Sequence, residues 1–158
     1  LAINIAVISA SLSIIHYQLS IRFSMILAFD YGTQKIGVAS GNMLLGTATP
    51  LKALPCKNTQ PNWDDIAALL KEWEPEALVV GLPLNMDGSD GESTARARKF
   101  ANRLHGRFGK KVWLVDERLS TREARERTGI QKADSRVDSM AAVIIAEGFF
   151  SGDAEAIG

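Results

Sequence analysis

Four carboxylates stand where apolar runs begin or end. Asp30 closes Met25-Ile-Leu-Ala-Phe-Asp30, Asp116 and Glu117 close a run that starts at Val112, and Asp138 stands at the head of the last apolar stretch. Acids so placed suit one chemistry well. Hydrolysing a phosphodiester by in-line attack requires an activated water and a stabilised leaving oxygen. Two divalent ions roughly 3.5–4 Å apart do both when several carboxylates hold them. Mg²⁺ and Mn²⁺ take oxygen ligands, and Mg²⁺ keeps much of its own water, so three or four acids suffice. Neighbouring strand residues face opposite ways, so only one of Asp116 and Glu117 can readily join Asp30. Asp30, Glu117 and Asp138 are therefore the catalytic and metal-binding candidates, with Asp116 as a substitute ligand.

Each acid also has a plainer reading. Asp30-Tyr-Gly32 taken alone is better read as a hairpin turn. Asp116 and Glu117 could end a strand and pair with Arg118 or Arg122. Asp138, three residues after Ser135, could complete a capping box and favour the helix dipole. Against this, Ala141 and Ala142 leave room beside Asp138, and Gly32 and Gly37 would let a phosphate backbone approach Asp30.

Charge is uneven along the chain. Lys plus Arg and Asp plus Glu number 18 each, yet residues 92–136 hold 13 basic against 6 acidic side chains. A polyanion would meet this region and be repelled elsewhere. Within it, Arg96, Lys99, Arg103 and Arg107 recur at steps of three and four, a helical stripe suited to phosphate contacts or to plain solvation. Arg118, Arg122, Arg125 and Arg127 thicken the region, which favours the polyanion. Asn85 and Asp87 sit in an Asn-Met-Asp-Gly loop, where they could touch a substrate or only shape turns. The aromatic residues look like core, so stacking of bases on exposed rings is not evident.

These residues need a scaffold. Residues 25–30, 35–40 and 44–49 read as three strands of an antiparallel meander, followed by a linking loop marked by Pro50, Pro55 and Pro61. Asn62 caps a helix carrying Trp63, Ile66, Leu70 and Trp73 on one face, ended by Pro75. Ala77-Leu-Val-Val-Gly81 is a continuous apolar run, as expected of a central strand. A helix follows over 93–105, burying Ala97, Phe100, Ala101 and Leu104, then a strand over 112–116. Ser120-Thr-Arg-Glu123 spells a capping box for a short helix, 129–135 is loop, and Ser135 caps a last helix over 136–150. The sum is an α/β fold, a mixed five-stranded sheet of three antiparallel strands and two parallel crossovers with helices on both faces.

The totals fit one domain. Cys56 is the sole cysteine and His16 and His105 are isolated, so neither a disulfide nor a zinc set is expected, and a reducing compartment fits. No phosphate-binding P-loop occurs. Residues 1–24 are apolar but interrupted by serines, with no Lys or Arg before Arg22. They are read as an extension outside the fold, with Met25 as the natural start, a membrane anchor being the alternative. The domain is placed at 25–152, with a tail at 153–158.

Four segments carry a family resemblance: Ala28-Phe-Asp-Tyr-Gly-Thr-Gln-Lys-Ile-Gly-Val-Ala39, Val80-Gly-Leu-Pro-Leu-Asn-Met-Asp-Gly88, Asp116-Glu-Arg-Leu-Ser-Thr121 and Val137-Asp-Ser-Met-Ala-Ala142. Together they resemble the bacterial YqgF family, also described as RuvX and as Holliday junction resolvase-like or pre-16S rRNA nucleases. The resemblance implies an RNase H-like fold related to the RuvC resolvases. It also implies maturation of the 5′ end of small-subunit ribosomal RNA in the cytoplasm. By position it makes Asp30, Glu117 and Asp138 the family's three acids. The loop before Asp138 is shorter than is usual in the family, although Lys132 and Arg136 remain in it.

The expectation is thus a Mg²⁺- or Mn²⁺-dependent endonuclease. Lys35, Asn85, Arg96, Lys99, Arg103, Arg107, Arg118, Arg122, Lys132 and Arg136 would touch nucleic acid. Precursor rRNA is favoured over branched DNA, ribosomal particles are further partners, no membrane is involved, and the chain acts as monomer or homodimer. The competing readings are a junction resolvase and a non-catalytic nucleic-acid or ribosome-binding factor. An actin-like ATPase would need a second lobe for which the chain is too short.

Overall fold

Strand-forming runs and amphipathic helices assemble into one mixed sheet with helices on both faces. The computed structural model describes residues 5–118 and 137–157. β1 (Met25–Tyr31) is central, pairing antiparallel with β2 (Lys35–Asn42) and parallel with β6 (Ala77–Leu82). β3 (Thr47–Pro50) and β4 (Leu54–Lys57) both pair with β2, and β5 (Gln60–Pro61) closes a short hairpin with β4. β7 (Lys111–Asp116) runs parallel to β6. The five expected strands are all present, with β3 shifted toward Pro50.

Two departures concern short segments. The stretch holding Pro55 and Pro61, expected as loop, forms β4 and β5, with Asn58 and Thr59 at positive φ in the turn between them. Residues after Gly152, expected as a tail, form β8 (Ala154–Ile157), antiparallel to β7.

Side-chain alternation sorts the core into two layers. Leu27, Phe29, Val80 and Leu114 pack under α2 (Trp63–Trp73) and α3 (Glu92–Phe108). Ile26, Ala28, Val79 and Val115 pack under the last helix, α4 (Met140–Phe150). Asn62 caps α2 as expected, its Oδ1 accepting from the Asp64 amide at 3.0 Å. α3 is longer than expected at both ends; Thr94 secures its start by accepting from the Gly91 amide at 2.9 Å and donating to the Pro83 carbonyl. Ahead of α4, residues Val137–Ser139 form a 3₁₀ turn, so Asp138 stands on that turn and not within the helix. The expected helix at 120–123, the loop at 129–135 and the Ser135 cap lie outside the described residues.

Residues ahead of β1 form α1 (Ile5–Arg22), apolar all round and with no buried residue. By length and composition it is long enough to cross a membrane. Its C-terminal end meets the domain through an Arg22–Glu74 ion pair and through Asn42 Nδ2, which donates to the Ile21 carbonyl at 3.2 Å.

Candidate active site

Parallel strands aligned side by side bring their C-terminal ends together, the usual place for a site in an open α/β sheet. Here those ends belong to β1, β6 and β7. Asp30 is in phase with Ile26 and Ala28, Gly81 with Ala77 and Val79, and Glu117 with Trp113 and Val115. All three therefore lie on the α4 face. Asp30 and Glu117 meet there and share a hydrogen bond. Asp116 is out of phase and is taken by Arg118. The guanidinium donates to its carboxylate from Nη2 at 2.6 Å and from Nε at 2.9 Å, and the Arg118 amide donates at 2.9 Å. This contact holds the Asp116 carboxyl below the usual range. Asp116 thus faces away from Asp30, as alternation allows for one of the two acids, and pairs with Arg118 as its plainer reading had it, which leaves the Arg118 fork on a carboxylate.

The two facing carboxyls cannot both be comfortable as anions. Burial raises Glu117, the nearby Asp30 charge and their hydrogen bond raise it further, and its carboxyl is pushed up to about 8. Burial also raises Asp30, while the hydrogen bond from Glu117 draws it back. Both carboxyls are raised, Glu117 the further, so the pair favours holding a proton between its two groups. This is the behaviour of like charges forced together in a partly dry site.

Two glycines, Gly81 and Gly37, build the cradle. A Cβ on Gly81 would overlap the Glu117 carboxyl and the tip of Ile145, so the bare backbone of β6 is what lets Glu117 lie across it toward Asp30. Gly37 pairs with Asp30 across β1 and β2. A Cβ there would stand 2.6 Å from the Asp138 carbonyl oxygen and 3.3 Å from Ser139 Cα. The gap is filled by the chain's own 3₁₀ turn and not by a substrate. Buried Ser139 pins that turn, its Oγ accepting from the Val38 amide at 3.1 Å. Gly32 likewise serves the hairpin, because a Cβ on it would lie 2.6 Å from the Lys35 carbonyl oxygen. Gly81 was missed in the sequence as a site residue; its signal was a glycine inside an otherwise branched apolar strand, a frequent mark of close approach.

Asp138 arrives beside the pair by its backbone, but its carboxylate turns to Lys35, with Nζ at 2.6 Å from Oδ1. Among the described residues no three acids, histidines or cysteines converge closely enough to hold a metal ion. The structure thus brings Asp30 and Glu117 together and seats the Asp138 backbone near them, with the Asp138 carboxylate paired to Lys35. The donor set is nevertheless right for a hard divalent ion. All donors are carboxylate oxygens, and a proton now occupies the contact that a cation would take over.

The expected nucleic-acid contacts divide. Lys35 is at the acids. Asn85 shapes its loop, its Nδ2 donating to Ser89 Oγ at 3.0 Å and its amide donating to the Ser89 carbonyl at 2.9 Å. Arg96, Lys99, Arg103 and Arg107 are on α3, which packs against the opposite face of the sheet from Asp30 and Glu117. The stripe and the acid pair thus lie on opposite sides of the sheet. Arg103 and Arg107 both lie over the Trp63 ring, at 4.8 and 4.5 Å from its centroid. Arg122, Lys132 and Arg136 lie outside the described residues.

Comparison with known proteins gives this site its context. The family model described as "RuvX: Holliday junction resolvase" matches residues 24–152. A protein of Alcanivorax borkumensis named "Putative pre-16S rRNA nuclease" is 95% identical over 131 residues, 83% of this chain and 98% of that one. One of the same name from Aeromonas salmonicida is 58% identical over 127 residues, 77% of this chain and 91% of that one. Among solved structures, RuvC of Thermus thermophilus in complex with a Holliday junction substrate aligns with TM-score 0.49 and 15% identity, over 84% of this chain and 99% of that one. The molecule is a hydrolase of the nuclease class on a mixed α/β sheet. The chain belongs to the RuvX family.

Proposed function

We propose that the chain is a metal-dependent endonuclease that hydrolyses phosphodiester bonds in precursor small-subunit rRNA, maturing its 5′ end in the cytoplasm. The observation that carries this reading is the contact of Asp30 and Glu117, two carboxyls from separate strands sharing one proton in a partly buried site. Such a pair stays strained until a cation replaces the proton. Asp30 and Glu117 would hold Mg²⁺ or Mn²⁺, and Asp138 would join them by leaving Lys35. Bound divalent ions would supply an activated water and charge stabilisation at the leaving oxygen. Asp30 orients Glu117 through their hydrogen bond, Gly81 leaves the space, and Ser139 fixes the turn that carries Asp138. Lys35, released from Asp138, would neutralise the phosphate beside the scissile bond.

The rRNA substrate rests on the names of the relatives, and the RuvX description favours a second reading, a four-way DNA junction cut by a homodimer. A cleavage assay in Mg²⁺ or Mn²⁺ with precursor rRNA and a four-way junction, wild type beside Asp30→Asn, separates them. Cleavage of rRNA alone, lost in Asp30→Asn, is expected. Junction cleavage alone would favour the second reading. An Asp30→Asn protein as active as wild type would end the nuclease assignment to these acids.

A further inference from the structure

Behind the acid pair, on the other face of the same strand end, lies a small cleft of about 160 Å³. Tyr31 floors it, stacked on Phe100 at 4.9 Å between ring centroids and tied to the β4–β5 hairpin by a hydrogen bond from its hydroxyl to the Thr59 carbonyl at 2.7 Å. Arg96, Lys99 and Arg103 stand along one wall, and no acidic residue is among those lining the cleft. Arg96 is paired with Glu92. Arg103 is steadied by Gln60, to whose Oε1 its Nη1 donates at 2.8 Å. Lys99 and Arg103 make no ion pair among the described residues.

Lys99 and Arg103, with Arg96 beside them held by Glu92, set positive charge around an aromatic floor and favour an anion. The cleft is smaller than the roughly 300–1,000 Å³ of sites that enclose a whole small molecule. It has room for one phosphate group of a longer chain. Tyr31 is also the residue after Asp30, and consecutive Cα atoms are about 3.8 Å apart. A strand of nucleic acid draped over the tip of β1 would meet the acids on one side and this cleft on the other.

We propose that the cleft formed by Tyr31, Lys99, Arg103 and the β4–β5 hairpin is a second phosphate subsite. It grips the backbone of the substrate strand away from the scissile bond. The proposal rests on the nuclease reading for its purpose, but not for its test. The subsite contributes affinity and register without base preference, since phosphate contacts carry no sequence information.

The test is binding without divalent metal. Fluorescence anisotropy would follow labelled single-stranded RNA and DNA of one sequence, across a salt series, with wild type, Lys99→Gln, Lys99→Arg and Arg103→Lys. Lys99 is exposed, so its replacement leaves the core intact, and thermal unfolding verifies that. Lys99→Gln should weaken binding several-fold and reduce the salt slope by about 0.7, the value for one lost contact to a single strand, while Lys99→Arg restores both. Arg103→Lys should keep the slope. An effect on RNA alone, DNA alone or both supports the subsite and identifies its backbone. Wild-type affinity and slope in Lys99→Gln for both strands would overturn it. Cleavage separates the two readings: a cleft variant should raise KM with kcat little changed, whereas a wild type that binds but never cuts counts against the nuclease and leaves the subsite standing.

Discussion

Glu117 is where, in the proposed mechanism, protonation and metal binding would compete. Its carboxyl is pushed up to about 8 in the folded protein against an ordinary value of 4.5. The folded state therefore holds a proton that the unfolded chain has released. The stability tied to this proton is complete below the unfolded value and is lost as pH rises through about 8. Asp30 shifts in the same direction. In urea titrations without metal, stability should fall between pH 5 and pH 9, and Glu117→Gln should flatten that dependence. Cation binding must expel the same proton. Mn²⁺ affinity measured by calorimetry should climb with pH by up to tenfold per unit and level off above about 8; a flat profile would remove Glu117 from the metal site. Lys35 opposes the cation more simply. Removing its charge by Lys35→Gln should raise Mn²⁺ affinity by roughly threefold, on the scale of one exposed charge at short range. That only one of Asp116 and Glu117 could meet Asp30 was legible from strand alternation; which one it is depends on the register of β7 beside β6 and β1. That Asp138 turns to Lys35 was not legible, because the pair is brought together only by the fold.

Among the elements, the deciding contacts are made by absent side chains. Gly37 admits the 3₁₀ turn and Gly81 admits the Glu117 carboxyl. Gly81→Ala should therefore reduce metal affinity and cleavage by roughly 10–100-fold, as expected for a residue that orients ligands, with little loss of secondary structure by circular dichroism. Unchanged calorimetry would show that the cradle is not needed. The long elements were legible because their periodicity is strong: Ile66 and Trp63 mark α2, and Val79 and Val80 mark β6. Gly37 was legible as a glycine but not in its purpose, since the turn it accommodates is about a hundred residues away. β4 and β5 were hidden by Pro55 and Pro61, which signal loops wherever they occur, although edge strands tolerate them. The spacing of Arg96, Lys99 and Arg103 gave a stripe, but spacing cannot say which sheet face a helix will cover.

At the scale of the molecule, acids and cations are arranged on two sides of one sheet. If both proposals hold, an enzyme so built would hold its substrate at a distance from where it cuts. Affinity for a nucleic-acid strand should then fall steeply with salt, while single-turnover cleavage of saturated enzyme changes little. A cleavage rate that tracks affinity across the salt series would contradict that division. α1 adds an apolar cylinder that is joined to the domain by polar contacts at Arg22 and Ile21.

β8 has one more consequence. It covers the outer rim of β7, whose backbone would otherwise present a row of unpaired amides and carbonyls beside Val112, Leu114 and Val115. Such a rim is a template for another chain to add to. Four residues, with Glu155 among them, cap the stack at that side, as the two-residue β5 with Pro61 does at the other. Trimming residues 153–158 should thus leave the acids in place yet turn a dispersed protein into one that self-associates, visible as a concentration-dependent rise in light scattering.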